Sequence, residues 1–145
     1  MSETTSAGPA GARTLSPAEA FVALLIASAR SDGVVSPHEA NQIEHVVSGM
    51  KLFRSSTFET RYTLFTAVVD RIKAQGVDHV FREAVRMIPK ELSATAFALA
   101  VDLMLSDGRL TAREQSFTEE LREALGVDRD LASRIVDVLT FKNAG

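Results

Sequence analysis

Two copies of one short acidic motif carry the residues of this sequence that could do chemistry. The stretch SDGVVSPHE at residues 31–39 returns as SDGRLTARE at residues 106–114, with its Asp, Gly, hydroxyl residue and Glu in the same order. Carboxylate oxygens without His or Cys beside them favour Mg²⁺, Ca²⁺ or Mn²⁺. The motif therefore predicts a divalent-cation site. Its candidate ligands are Asp32, Glu39, Asp107 and Glu114, with Asp102 as a further candidate because it interrupts an apolar run shortly before Asp107.

The motif matches the second half of a calcium-binding EF-hand loop, but the first half of that loop is missing. Position 1 of such a loop must offer an oxygen and is normally Asp. It would be Ser28 in the first copy and Leu103 in the second, and position 3 would be Arg30 or Leu105. A calcium cage of the EF-hand type cannot be assembled from these side chains, so the sequence excludes an EF-hand.

Helix capping offers a second interpretation of the same acids. The two glutamates of the motif stand three residues after a Ser or Thr, which is the spacing of a capping box. The two aspartates fall near a helix C-terminus, where an exposed negative charge opposes the helix dipole and costs about 0.3–1 kcal/mol. A solvent-facing position on its helix explains Asp102 as well as a ligand role does. Capping thus accounts for the glutamates, whereas the repeated aspartates suggest that the carboxylate itself is needed.

The elements that position these residues are helices. Apolar residues recur every three to four positions and no stretch alternates with a period of two, so the sequence predicts an all-α protein. About seven helices in one compact domain are expected, near residues 17–31, 37–48, 57–75, 79–88, 91–106, 112–125 and 129–139. The first and fifth are apolar on most sides and should form the buried centre.

Local signals mark the ends of these helices. Capping boxes mark four starts, at Ser16 to Glu19, Ser36 to Glu39, Ser56 to Glu59 and Thr111 to Glu114. Glycines just beyond the predicted ends favour a left-handed backbone there, at Gly33, Gly49, Gly76, Gly108 and Gly126.

A shift of 75 positions aligns the early part of the chain with its later part well beyond the acidic motif. It pairs Glu44 with Glu119, for example, and superimposes several apolar positions on both sides of the turn. Such a duplication predicts two helix-turn-helix repeats related by a pseudo-twofold axis. If the axis brings the two turns together, up to four carboxylates converge. If the turns lie apart, each offers two carboxylates and binds a cation weakly.

Composition limits the classes of function. The chain of 145 residues has no cysteine, which excludes disulfides and thiolate metal sites, and its formal net charge of −3 argues against direct binding to nucleic acid. Residues 51–90 nevertheless carry a net charge of +4 and the remainder −7, a polarity that suits either a docking surface or plain solvated helix faces. No nucleophile stands beside a base and no phosphate-binding loop is present, so the sequence predicts a protein that is not an enzyme.

Domain organisation and location follow from the same reading. Residues 1–15 are rich in small and polar residues and are predicted to be a flexible leader, with the helical domain at 16–145. The longest apolar block, at residues 21–29, is too short to span a bilayer, and a cytoplasmic protein is expected. Four phenylalanines stand at helical spacings that predict core packing, not base stacking: Phe53, Phe58, Phe65 and Phe81.

With the duplicated hairpins in hand, the sequence resembles the tellurite-resistance TerB family. The likeness is strongest in ALAVDLMLSDGRLTAREQSFTEELREALGV, residues 98–127, and is supported by IASARSDGVVSPHEA in the first copy. The resemblance implies an all-α domain of two related halves, an acidic cluster proposed to chelate metal, and a role in bacterial tellurite and stress resistance. Its acidic signature falls on Asp32, Glu39, Asp107 and Glu114. The residue before Asp-Gly, often Ala in the family, is Ser in both copies here.

The expected function is therefore a non-enzymatic module that binds a divalent cation (Ca²⁺, Mg²⁺ or Mn²⁺) through the duplicated turns and docks protein partners. The resemblance extends the expected partners to a membrane-associated resistance complex. The alternative is a metal-free helical scaffold whose acidic residues only cap helices. A carboxylate-metal hydrolase is a third, less supported hypothesis.

Overall fold

The computed structural model describes residues 13–29 and 35–145. Seven α-helices and no strand occur in these two ranges. The helices are α1 Pro17–Ala29, α2 Pro37–Ser48, α3 Phe58–Gln75, α4 Val77–Met87, α5 Ser93–Met104, α6 Ala112–Leu125 and α7 Arg129–Lys142. Short 3₁₀ turns lie at Lys51–Phe53, Lys90–Leu92 and Leu105–Asp107. The predicted all-α fold with seven helices is confirmed.

Helix α1 occupies the centre of the domain. Every residue from Glu19 to Ser28 is buried, so the helix has no solvent-exposed face along most of its length. It packs against α2, α3, α4 and α5, with α4 and α5 as its most extensive neighbours. Helix α5 is the second buried helix, and it packs against α1, α6 and α7. The expectation that the first and fifth helices form the core is correct, because a helix that is apolar all round must be covered on all sides.

Three of the four predicted capping boxes form. At Ser16, Ser36 and Thr111 the hydroxyl accepts from the backbone three residues later, and the Glu accepts from the N-cap backbone N–H. The prediction at Ser56 is wrong by one residue. Helix α3 is instead capped by Thr57, whose side chain accepts from the N–H of Thr60. The Ser56 hydroxyl accepts a hydrogen bond from the guanidinium of Arg61, which connects the turn before α3 to the first part of that helix.

The glycines at helix ends differ in conformation. Gly108 and Gly126 adopt the predicted left-handed backbone, with φ of 104° and 72°. Gly49 does not, because its φ of −91° is right-handed and the chain continues directly into the next 3₁₀ turn. Gly76 has a positive φ of 89° but an extended ψ of 150°. Gly33 lies outside the described residues.

The packed part of the domain begins before residue 16. Residues 13–15 belong to the predicted leader, yet Leu15 is only 2% exposed and joins the core. The guanidinium of Arg13 donates to both carboxylate oxygens of Glu19, at 2.7 and 2.5 Å. Composition did not reveal this attachment, because it depends on specific side-chain contacts with α1, α3 and α4.

A buried ion network holds residues 13–15 against α3 and α4. Arg71 is 3% exposed and donates two hydrogen bonds to the backbone carbonyl of Arg13. Its guanidinium also lies 3.6 Å from the carboxylate of Glu83, which accepts a hydrogen bond of 3.0 Å from the backbone N–H of Leu15. Both charges are therefore compensated within the protein, and each also satisfies a backbone group of the N-terminal segment.

Replacing Arg71 by Ala should destabilise the domain strongly. The variant leaves the partly buried Glu83 carboxylate without its cation and the Arg13 carbonyl without a donor, which costs about 3 kcal/mol. Urea denaturation followed by circular dichroism measures the loss. Lys73→Ala, at an exposed position on the same helix, is the control and should stay within about 0.5 kcal/mol of wild type. Equal stabilities of the two variants would contradict a structural role for the network.

The free energy of unfolding should fall at acid pH because of the Glu19 carboxyl. Hydrogen bonds from Arg13 lower its pKa from 4.5 to about 2, assisted by those from Ser16 and opposed by burial. Since the folded pKa lies below the unfolded one, the stabilisation is complete above about pH 4.5 and disappears as the pH falls through about 2. Because the Arg13 side chain is 64% exposed, solvent screening reduces the expected loss to about 2 kcal/mol.

The measurement is the free energy of unfolding as a function of pH for wild type and for Glu19→Gln. The variant has no carboxyl to titrate at this position, so its stability should fall less steeply across the acid range. Parallel curves for the two proteins would show that Arg13 does not hold the Glu19 carboxylate in solution.

Candidate functional site

The second acidic turn joins α5 to α6 and is described completely. Helix α5 ends at Met104, the 3₁₀ turn Leu105–Asp107 follows, and Gly108 turns the chain toward the N-cap Thr111. Asp107 is exposed, and its carboxylate accepts no hydrogen bond from any described residue. The predicted placement at a helix C-terminal end is correct. This carboxylate therefore lies where the helix dipole disfavours it and is available to a ligand.

The glutamates of the motif have a structural role. Glu114 accepts a 2.9 Å hydrogen bond from the N–H of Thr111, and its own N–H donates 3.1 Å to the Thr111 hydroxyl. Glu39 forms the same pair of bonds with Ser36, at the same two distances. In each box one carboxylate oxygen, Oε1, is engaged. Capping alone therefore explains the residue type and position of both glutamates.

Asp102 secures the end of α7. Its carboxylate accepts 2.8 Å from the side-chain amide of Asn143 and 3.2 Å from the ammonium of Lys142. Asn143 also donates to the carbonyl of Leu139, within the last turn of α7. The Asp102 side chain is 27% exposed, so it lies at the edge of the solvent-facing stripe that was the alternative interpretation. These contacts give Asp102 a structural task without any metal.

The helix that carries Glu39 contacts the second copy of the motif through a side-chain hydrogen bond. The side-chain amide of Gln42, on α2 of the first copy, donates 3.1 Å to the hydroxyl of Ser106, the residue before Asp107. Glu39 lies three residues before Gln42, one turn away on the same side of α2. Asp32 lies outside the described residues. Among the residues that are described, no group of three or more His, Asp or Glu side chains lies close enough to hold a metal ion.

A groove with two exposed aromatic rings at its edge lies between α2 and α3. Phe58 and Tyr62 stand one turn apart on α3, are 62% and 59% exposed, and stack with ring centroids 6.2 Å apart. The groove has a cavity volume of about 150 Å³ and is open to solvent. Its floor is apolar and is formed by Val22, Ile43, Val47, Phe53 and Phe65.

An ion pair fixes the polar side of this groove. The guanidinium of Arg61 on α3 lies 2.8 Å from the carboxylate of Glu44 on α2, and this contact raises the pKa of Arg61. Arg61 also donates to the backbone carbonyl of Ser56 at 3.1 Å. The two walls and the preceding turn are thus tied together by one side chain, so the groove exists before any ligand binds.

Comparison with known proteins identifies the family. The family described as tellurite resistance protein TerB matches this chain over residues 18–136. The chain belongs to the TerB family. No curated protein and no solved structure compared with the chain matches it significantly. The matched range runs from α1 into α7 and includes all five candidate acids, so the resemblance proposed from the duplicated hairpins is confirmed.

TerB membership supports a module associated with tellurite resistance, in a family whose domains are generally not catalytic. Within the described ranges, no helix has the length and apolarity needed to cross a bilayer. The pseudo-twofold relation between the two halves stays a prediction, because the first acidic turn is not among the described residues.

The groove of this TerB domain was not predicted from the sequence. Phe58 was predicted to lie in the core and is exposed, so that prediction is wrong, whereas Phe53 and Phe81 are buried as predicted. The available signal was the apolar stripe of α3, which runs through Phe58, Tyr62 and Phe65 and continues at positions 69 and 72. That spacing is correct for one helix face. Its N-terminal part extends beyond the core and forms one wall of the groove.

Proposed function

We propose that this TerB-family chain acts in tellurite resistance as a non-catalytic docking module and that the α2–α3 groove is its docking surface. The observation that carries the proposal is the exposed, stacked pair Phe58 and Tyr62 above an apolar floor. Exposed apolar patches of this kind mark interaction sites in soluble domains. Burying each ring in a partner would contribute about 1.5–3 kcal/mol.

The groove suits docking because it is already formed. Arg61 and Glu44 connect its two walls, and Ser56 is held by the same guanidinium. A partner therefore meets a surface that needs little reordering, which lowers the entropic cost of association. Catalysis has less support, since among the described candidate acids two cap helices and Asp102 secures α7.

The test is tellurite tolerance in a sensitive bacterial host that lacks its own TerB-family protein and depends on this chain. Phe58→Ser/Tyr62→Ser removes the two exposed rings and should reduce tolerance to the level of the empty vector. The matched control is Val138→Ser/Phe141→Ser, which removes two exposed apolar side chains from α7, 64% and 80% exposed, and should keep full tolerance.

Both variants change exposed positions, so thermal melting should show that each stays folded. Wild-type tolerance in the folded groove variant would contradict docking through the groove. Equal loss in both variants would show that exposed apolar surface in general, and not the groove, is required.

Divalent-cation binding at the Asp107 turn is the second candidate. It is favoured by a carboxylate that is exposed, free of hydrogen bonds to the described residues and placed against a helix dipole. The described residues do not form a closed metal cage by themselves, because one oxygen of Glu114 and one of Glu39 are engaged in capping. A site would have to combine Asp107 with backbone carbonyls, water and the oxygen of Glu114 that capping does not use. Binding would then be weak, with a Kd of about 1 mM.

Thermal melting with added CaCl₂, MgCl₂ or MnCl₂ tests this candidate. At ten times a Kd of about 1 mM, a cation that binds only the folded state adds about 1.4 kcal/mol, or about 3–5 °C in Tm. Asp107→Asn should abolish the shift. Asp70→Asn, which removes an exposed carboxylate from α3, should retain it. An equal shift in both variants, or none in wild type, would contradict a specific site at the turn.

A further inference from the structure

We infer that the groove receives one amphipathic helix of a protein partner and that this helix carries acidic residues beside its apolar face. The inference rests on the proposed docking function and adds the chemistry of the partner. Three properties of the described residues lead to it: the shape of the groove, the cations beside it, and the charge around the remaining exposed apolar surface.

The shape favours a helix as the occupant. The groove lies between two helices, and its exposed rings, Phe58 and Tyr62, are one turn apart along α3. Apolar side chains of a partner helix repeat at the same interval of one turn, about 5.4 Å. Residues at i, i+3 or i+4, and i+7 of such a helix can reach the rings and the floor together. A flat surface could touch the rings but would not reach buried floor residues such as Ile43 and Phe53.

The charge favours an acidic partner. Lys51 and Arg54 flank Phe53, a residue of the groove, and both are exposed. Neither forms an ion pair with any residue that the structure describes, whereas the third nearby cation, Arg61, is already neutralised by Glu44. The turn that contributes Phe53 to the groove therefore carries two uncompensated positive charges, against one exposed acid, Glu59, next to Phe58. Complementary carboxylates on the partner would select its orientation and speed association.

A second copy of this chain is a poorer occupant. Its remaining large exposed apolar pair in the described part, Val138 and Phe141, lies on α7. Arg134 stands one turn before Val138 on the same face, and Lys142 follows Phe141 directly. Lys142 is already paired with Asp102, and next to Val138 α7 offers one acid, Asp137, against the cation Arg134, both unpaired among the described residues. A helix with that balance complements Lys51 and Arg54 less well than an acidic helix does.

The experiment uses the optical properties of this chain. It contains no tryptophan and one tyrosine, Tyr62, which lies in the groove. The probe is a synthetic helical peptide of about fifteen residues, long enough to hold a helix, with Leu at i, i+3 and i+7, Glu on the flanking positions and one Trp. Binding in the groove should quench Tyr62 emission by energy transfer to that Trp. A peptide with Lys in place of every Glu is the matched probe.

We expect the acidic peptide to bind at least about tenfold more tightly than the basic one. Lys51→Glu/Arg54→Glu should reverse this preference. Lys73→Glu/Arg86→Glu produces the same change in net charge at exposed positions away from the groove and should preserve it. Phe58→Ser should weaken binding of the acidic peptide by about tenfold or more, since it removes an anchor ring.

Several outcomes would overturn the inference. Equal affinity for both peptides, or an unchanged preference in Lys51→Glu/Arg54→Glu, would show that the partner is not selected by acidic charge. Equal quenching of Tyr62 by vesicles of phosphatidylcholine and phosphatidylglycerol carrying a Trp-labelled lipid would favour a membrane surface. Competition by a DNA oligonucleotide as effective as the peptide would favour nucleic acid.

The result also separates this inference from the proposed function. If no peptide binds while Phe58→Ser/Tyr62→Ser still abolishes tellurite tolerance, the partner chemistry is wrong and docking through the groove stands. If the peptide binds as expected but the same variant stays tolerant, the groove binds acidic helices without serving tellurite resistance.

Discussion

The burial of helix α1 is the constraint on which the remaining structure depends. Ten consecutive residues of this helix, from Glu19 to Ser28, are buried, and most of them are apolar. Burying each Val, Leu, Ile or Phe side chain contributes about 1.5–3 kcal/mol, so exposure of any face of α1 would be costly. Four helices must surround it, and α2, α3, α4 and α5 do so. Functional surface is consequently confined to outer helices and turns.

Residues 13–15 are held against α3 and α4 mainly by charged side chains, because this segment is too short to be held by apolar contact alone. Only Leu15 of residues 13–15 enters the core, while Arg71 binds the carbonyl of Arg13 and Glu83 binds the N–H of Leu15. A buried ion pair need not stabilise more than apolar residues of equal volume. Here it also binds a carbonyl and an N–H that would otherwise lose their partners. Those backbone contacts fix the position of the segment.

Most local features of this fold could be predicted from sequence, with the N-cap of α3 and the backbone of Gly49 as exceptions, whereas features that depend on relative helix length could not. The capping boxes at Ser36 and Thr111 form as expected because all their atoms lie within four residues. The periodicity of α3 was also correct, yet Phe58 is exposed. Whether an apolar stripe ends inside the core or extends past it depends on how far the neighbouring helix follows. That is a tertiary property without a local signal.

In the candidate site too, the local features could be predicted from sequence and the tertiary contacts could not. The pattern placed Glu39 and Glu114 at the third position of a capping box, and the hydrogen bonds of both confirm it. It also placed Asp107 at a helix end, but it could not say whether the two turns meet. The contact between Gln42 and Ser106 brings the first-copy helix beside the second turn, across 64 positions of sequence. Only folding around α1 creates such a proximity.

The acids of the motif differ in whether the helix next to them stabilises their charge. A glutamate at N3 of a helix is stabilised by the helix that it caps, so its presence in both copies needs no ligand. Asp107 receives no such compensation from the described residues and stands at the unfavourable end of the dipole. A Gly or Asn would make the same turn without that cost. Of the described acids of the motif, Asp107 is the one whose charge local structure does not explain, so it is the described acid for which a cation would offer the missing compensation.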